Sequence, residues 1–62
     1  MKAITQLLQA WHLQATGLEQ NAELLRRNGM LESARGQRIR AEILRQMISE
    51  LQRELDKEGR AA

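Results

Sequence analysis

Cysteine and proline are both absent from this chain of 62 residues, and Trp11 is its one aromatic side chain of the Phe, Tyr and Trp type. Without cysteine there is neither a disulfide framework nor a thiolate metal site, so the redox compartment stays open. Without proline, the chain lacks the residue that most strongly interrupts a helix. The abundance of leucine, alanine, glutamine, glutamate and arginine then favours helix over sheet.

Long apolar runs are also missing, since purely apolar stretches are at most two residues long. A membrane helix needs about 20 apolar residues, and the core of a signal peptide needs roughly 7–15. We therefore expect a cytoplasmic protein without a targeting segment. Eight arginines stand against two lysines, which is the usage expected of a small protein from a GC-rich bacterial or phage genome.

Residues that support catalysis are scarce. His12 is the only histidine, there are two serines, and tyrosine is absent. No glycine-rich phosphate loop is present, and a cleft deep enough to shift a pKa needs a longer chain. We therefore expect no enzyme activity, no cofactor and no metal.

Two stretches of the chain carry a seven-residue apolar repeat. In the first, over about 3–28, the repeating residues are Ile4, Trp11, Leu18, Leu25, Leu8, Ala15 and Ala22. In the second, over about 33–58, they are Ala34, Ala41, Ile48, Leu55, Leu44 and Leu51. Because a helical turn takes 3.6 residues, the columns of each stretch share one face. The pattern predicts two amphipathic helices.

The dipeptide Asn28-Gly29 lies between these stretches. Glycine takes the left-handed conformation without strain, so this pair is a plausible helix C-cap. We expect a turn over about 28–33, with Ser33 as a possible N-cap, and a frayed tail over 59–62. The prediction is an all-α antiparallel helical hairpin that forms one domain over 1–62. The alternative is one long coiled-coil helix, if Asn28-Gly29 stays helical.

Gly17 leaves a second alternative open within the first helix. Thr16-Gly17-Leu18-Glu19 matches a capping box, with threonine at the cap and glutamate three residues later, and could start a new helix at Leu18. The apolar stripe keeps its phase across Gly17, which favours an unbroken helix.

The apolar face of the second helix is broader than one partner helix covers, because Ile43 and Met47 extend it. Below roughly 70 residues a single core seldom gives sufficient stability, and oligomerisation is one remedy. We therefore expect a homodimer in which two hairpins form a four-helix bundle. The predicted partner or dimer interface comprises Trp11, Leu18, Leu25, Ile43, Leu44, Met47, Ile48 and Leu51.

Positive charge is concentrated around the bend. Residues 26–45 carry six arginines against two glutamates, a local balance of +4, while the whole chain has a net charge of +2. These arginines form a solvated face, bind an acidic patch on a protein, or bind phosphates. The shortage of aromatic residues counts against single-stranded RNA. The candidate contacts are Arg26, Arg27, Arg35 and Arg38.

These observations favour a small non-enzymatic protein-interaction module, namely a regulator, inhibitor or assembly adaptor. It would act through a self-associating helical hairpin that binds a larger protein. The alternative is a dimeric nucleic-acid-binding regulator that uses the arginines near the bend. In that case the chain resembles the plasmid RNA-binding regulator Rop in architecture alone, because the two share no motif.

Overall fold

The computed structural model describes residues 2–61, with the side chains of residues 2–59. Two helices account for almost all of this range: α1 spans Lys2–Arg27 and α2 spans Leu31–Ala61. A helix of 31 residues, the length of α2, is itself about 46 Å long. Since the whole Cα trace extends over 51 × 16 × 11 Å, the helices lie side by side and antiparallel. The chain is a helical hairpin, as predicted, and the single long helix is wrong.

The bend is built by Gly29, whose φ of 78° lies in the left-handed region. The Met30 N–H donates to the Leu25 carbonyl at 2.9 Å, and the Gly29 N–H donates to the Arg26 carbonyl at 3.0 Å. These two bonds are those of a Schellman motif, which satisfies carbonyls that the helix end would otherwise leave unpaired. The cap predicted at Asn28-Gly29 is therefore present.

The second helix begins two residues earlier than the sequence indicated. The Ala34 N–H donates to the Met30 carbonyl at 3.0 Å, so Met30 holds the N-cap position and α2 begins at Leu31. Ser33, the expected N-cap, lies inside the first turn instead. The physical reason is that Gly29 reverses the chain within one residue, which leaves no need for a longer connection.

Both helices continue past a position at which the sequence pattern was compatible with a helix end. α1 is unbroken at Gly17, and α2 extends to Ala61 rather than ending near residue 58; Ala62 lies outside the described residues. A Cβ built at Gly17 would meet nothing within 4 Å. Gly17 therefore serves no close approach of the two helices within the chain.

The helices meet along one narrow seam, which we call the first seam. Its buried residues are Leu8, Ala15, Ala22, Ala34, Ala41 and Ile48. Half-buried residues complete the alternating spacing of three and four, namely Ile4, Trp11, Leu18, Leu25, Gln37, Leu44, Leu51 and Leu55. Four of the six buried residues are alanines, which let the backbones approach closely but bury little apolar area. The core of the isolated hairpin is consequently small.

Candidate interaction surfaces

The residues predicted as an interface divide into two groups. Six of them belong to the first seam and are buried or half-buried by the hairpin itself: Trp11, Leu18, Leu25, Leu44, Ile48 and Leu51. The other two, Ile43 and Met47, stay 52% and 41% exposed. Only these two are open to a further molecule.

Ile43 and Met47 are part of an exposed row on α2 that also includes Ile39, 47% exposed. The three residues follow each other at intervals of four, so they form one ridge on the helix surface. We call them the apolar ridge. Sequence analysis missed Ile39 because it lies in neither heptad column. Further large apolar side chains are exposed singly on α1 and at the bend, namely Leu7, Leu13, Leu24, Met30 and Leu31.

Arg45 connects the two helices through one guanidinium group. Its Nη2 and Nε donate to Glu19 Oε1 and Oε2 at 2.9 and 3.2 Å. Its Nη1 lies 3.1 Å from His12 Nδ1, and its Nη2 donates to Thr16 Oγ1 at 3.2 Å. The region around Arg45 therefore lies level with residues 12–19 of α1.

The Arg45 contacts explain two electrostatic shifts. The hydrogen bond from Arg45 lowers the pKa of the Glu19 carboxyl, and its positive charge acts in the same direction. The same bond raises the pKa of Arg45. Both groups are therefore charged at neutral pH. Both also face water, with side chains 39% and 47% exposed, so solvent screens the ion pair between the two helices.

Sequence analysis did not single out Arg45. His12 and Glu19 are seven residues apart on α1, which is about two helical turns and too far for a hydrogen bond between them along the helix. The structure joins them through a residue of the other helix instead. Only the antiparallel register, which the bend fixes, reveals that Arg45 comes level with both.

The four arginines predicted as contacts near the bend are not equivalent. Glu23 accepts from Arg26 Nη2 at 2.6 Å and from Arg27 Nε at 3.2 Å. The hydrogen bond from Arg26, with further help from Arg27, lowers the pKa of Glu23 to about 2. The charges of Arg26 and Arg27 are thus partly neutralised within α1.

Arg35 and Arg38, by contrast, make no ion pair with any described residue. Arg38 and Glu42 are four residues apart on α2, but no ion pair joins them. Arg35 and Arg38 border a shallow groove of about 480 Å³ whose other lining residues are Arg26, Leu31, Ala34, Ile39 and Glu42. We call this the basic groove. It combines free positive charge with exposed apolar atoms; Arg27 is not among its lining residues.

Residues 2–61 offer no group of three or more His, Cys, Asp or Glu side chains able to hold a metal. In the same range neither helix combines the length and apolarity that crossing a bilayer requires. No protein-family model, curated protein or solved structure matches this chain.

Proposed function

We propose that this chain is a non-enzymatic, cytoplasmic protein-interaction module. In this proposal the hairpin self-associates, and the assembled form binds a larger protein as a regulator, inhibitor or assembly adaptor. The observation that carries the proposal is the apolar ridge, Ile39, Ile43 and Met47, which α1 leaves exposed.

The size of the first seam supports self-association. Its buried residues are mostly alanines, and a chain of this length with a small core gains stability by burying further apolar surface against another molecule. The apolar ridge offers such surface on the helix that already contributes half of the first seam. Covering it would bring the bundle to three or more packed helices.

The basic groove supports binding of a larger protein. It lies at the bend end, where Leu31 and Ile39 expose apolar atoms beside the unpaired Arg35 and Arg38. Arginine next to apolar surface is typical of the residues that contribute most to protein interfaces. An acidic, partly apolar segment of a larger protein is the partner that suits this groove.

A second candidate function is nucleic-acid binding by a dimer. One observation favours it: Arg35 and Arg38 make no ion pair with any described residue and border the same groove, so their two guanidinium groups are available together for phosphates. Glu42 in the same groove opposes an anion. We therefore rank this candidate second.

The leading proposal is tested by sedimentation velocity over a concentration series, followed by affinity capture. Ile43→Glu places a charge on the apolar ridge and should yield a monomer with unchanged helical content. Leu13→Glu is the matched control, because Leu13 is 75% exposed on α1, away from the ridge and the groove. It should behave as the wild type does.

Capture then compares the wild type with Arg35→Glu/Arg38→Glu, which reverses the basic groove without touching the ridge. Loss of a specific partner in this variant, with the dimer retained, supports docking through the groove. Equal recovery of the partner by both proteins would show that this surface is not used.

The second candidate is tested by titrating duplex DNA and duplex RNA across a salt series. Phosphate binding releases counterions, so affinity should fall steeply as salt rises and should be lost in Arg35→Glu/Arg38→Glu. Absence of binding at low salt, or a salt-independent affinity, would eliminate nucleic acid.

A further inference from the structure

The α2 helix carries a second coiled-coil spacing that α1 does not use. Residues 36, 40, 43, 47, 50 and 54 follow each other at alternating intervals of four and three, so they form one continuous stripe. We call this stripe the second seam, and its members are Gly36, Arg40, Ile43, Met47, Glu50 and Glu54. All six are exposed in the hairpin.

Charge along the second seam is ordered by sign. Arg40 precedes the apolar centre, Ile43 and Met47, whereas Glu50 and Glu54 follow it. Arg40 and Glu50 make no ion pair with any described residue. The stripe thus has a positive end, an apolar middle and a negative end.

This order is complementary to itself when it is reversed. Arg40 stands three residues before Ile43, and Glu50 stands three residues after Met47. Each separation is about 4.5 Å along the helix axis. Two copies of the stripe laid antiparallel therefore bring Ile43 level with Met47, and Arg40 level with Glu50, at the same time.

We propose that a second copy of this chain covers the second seam, with α2 antiparallel to α2 and a two-fold axis midway between Ile43 and Met47. Arg40 of each protomer then pairs with Glu50 of the other. This inference rests on the self-association proposed above and specifies its geometry.

Charge decides between the two possible directions. In a parallel pairing Arg40 would face Arg40 and Glu50 would face Glu50, and like charges across an interface oppose association. In the antiparallel pairing each Arg40 meets one Glu50 of the other protomer, so the contact forms twice, once on each side of the two-fold axis. In the antiparallel direction the dipoles of the two helices also point in opposite directions, and this arrangement favours association.

Charge reversal tests this geometry by sedimentation equilibrium of the full chain. Arg40→Glu alone sets an introduced glutamate against Glu50, and Glu50→Arg alone sets an introduced arginine against Arg40. Each should raise the dimer dissociation constant by roughly tenfold to a hundredfold, because two symmetry-related contacts change together. The double variant Arg40→Glu/Glu50→Arg should restore the wild-type value.

An equimolar mixture of the two single variants gives the sharpest comparison. Two copies of the same variant repel each other at both contacts. In a mixed dimer both contacts join opposite charges, so the mixture should dimerise. A parallel pairing predicts a different pattern: each single variant keeps two like-charge contacts and should dimerise as weakly as the wild type does, whereas the mixture should dimerise more tightly than the wild type. Arg53→Glu and Glu58→Arg are the matched controls, since both alter exposed charges of α2 outside the second seam and the basic groove and should leave the dimer intact.

The outcomes separate this inference from the proposed function. If the wild type dimerises and Arg40→Glu behaves as Arg53→Glu does, self-association stands and the antiparallel second seam is overturned. If the wild type remains monomeric at every concentration, both self-association and the proposed pairing of the second seam are overturned. Circular dichroism of each variant shows whether its helices are formed; the mixture remains informative when a single variant is partly unfolded.

Discussion

Arg45 and Glu19 form a two-point ion pair across the hairpin, with Nη2–Oε1 at 2.9 Å and Nε–Oε2 at 3.2 Å. The same guanidinium reaches His12 and Thr16. A planar guanidinium makes this fork, whereas an ammonium group acts as a point charge. One side chain of α2 thereby contacts three residues in the middle of α1.

Replacing Arg45 should lower the melting temperature of the hairpin. Arg45→Gln removes the cross-helix contacts and should lower it by a few degrees, because both partners are exposed and screened by solvent. Arg45→Lys keeps the charge but not the fork, so its melting temperature should fall between those of the wild type and Arg45→Gln. Thermal melts followed by circular dichroism give the measurement, with Arg53→Gln as control. Identical melts for Arg45→Gln and Arg53→Gln would show that the contacts add no stability.

Two glycine substitutions should act in opposite directions. Gly29→Ala forces an L-residue to adopt φ of 78°, which costs about 1–2 kcal/mol in the free energy of unfolding. Gly17→Ala lies within α1, where a Cβ meets nothing within 4 Å, and should stabilise by about 0.5–1 kcal/mol. Urea unfolding measures both. A neutral Gly29→Ala would mean that the bend relaxes out of the left-handed conformation.

Acid should weaken the hairpin through Glu23. Its pKa falls from the usual 4.5 to about 2 in the folded chain, so its contribution to stability is complete above pH 4.5 and disappears as the pH falls towards 2. An NMR titration of the carboxyl carbon measures this pKa directly. In Arg26→Gln the value should rise towards 4.5, and high salt should move it the same way. An unshifted Glu23 in the wild type contradicts the ion pair.

Gln37 is a weak point of the first seam. Its side chain is half-buried between Ala34 and Ala41, and its buried Oε1 has no hydrogen-bond partner. Gln37→Leu removes the unsatisfied polar atom and adds apolar contact, so it should stabilise by about 1 kcal/mol. Gln20→Leu, on the exposed surface of α1, should change the free energy of unfolding by less than about 0.5 kcal/mol. Equal effects would mean that Gln37 is satisfied by water.

The architecture could be predicted because its signals are local. The seven-residue columns predicted the residues that line the first seam, and Gly29 predicted the bend, since both depend on helical periodicity and on one backbone conformation. Gln37 could not be recognised as part of the seam, although it lies seven residues before Leu44. The repeat was identified from apolar residues, so a polar glutamine was not included in it.

The surfaces were less predictable because they depend on how the helices face each other. Trp11 was predicted at a partner or dimer interface, and this stays a prediction; the structure places it half-buried in the first seam. The role of Arg45 follows from the register of α2 against α1, which no spacing within one helix contains. The start of α2 at Leu31 similarly depends on how sharply Gly29 turns the chain.

Arg45 makes its contacts with α1 along one long edge of the hairpin. Positions 45 and 47 are about 200° apart around a helix, so Met47 lies on the edge opposite Arg45. A molecule that covers Met47 can dock without stripping water from the guanidinium and the carboxylate, and this spares the desolvation penalty of a charged pair. If a second molecule covers Met47, as we propose, we expect the two helices to keep their alignment when it binds.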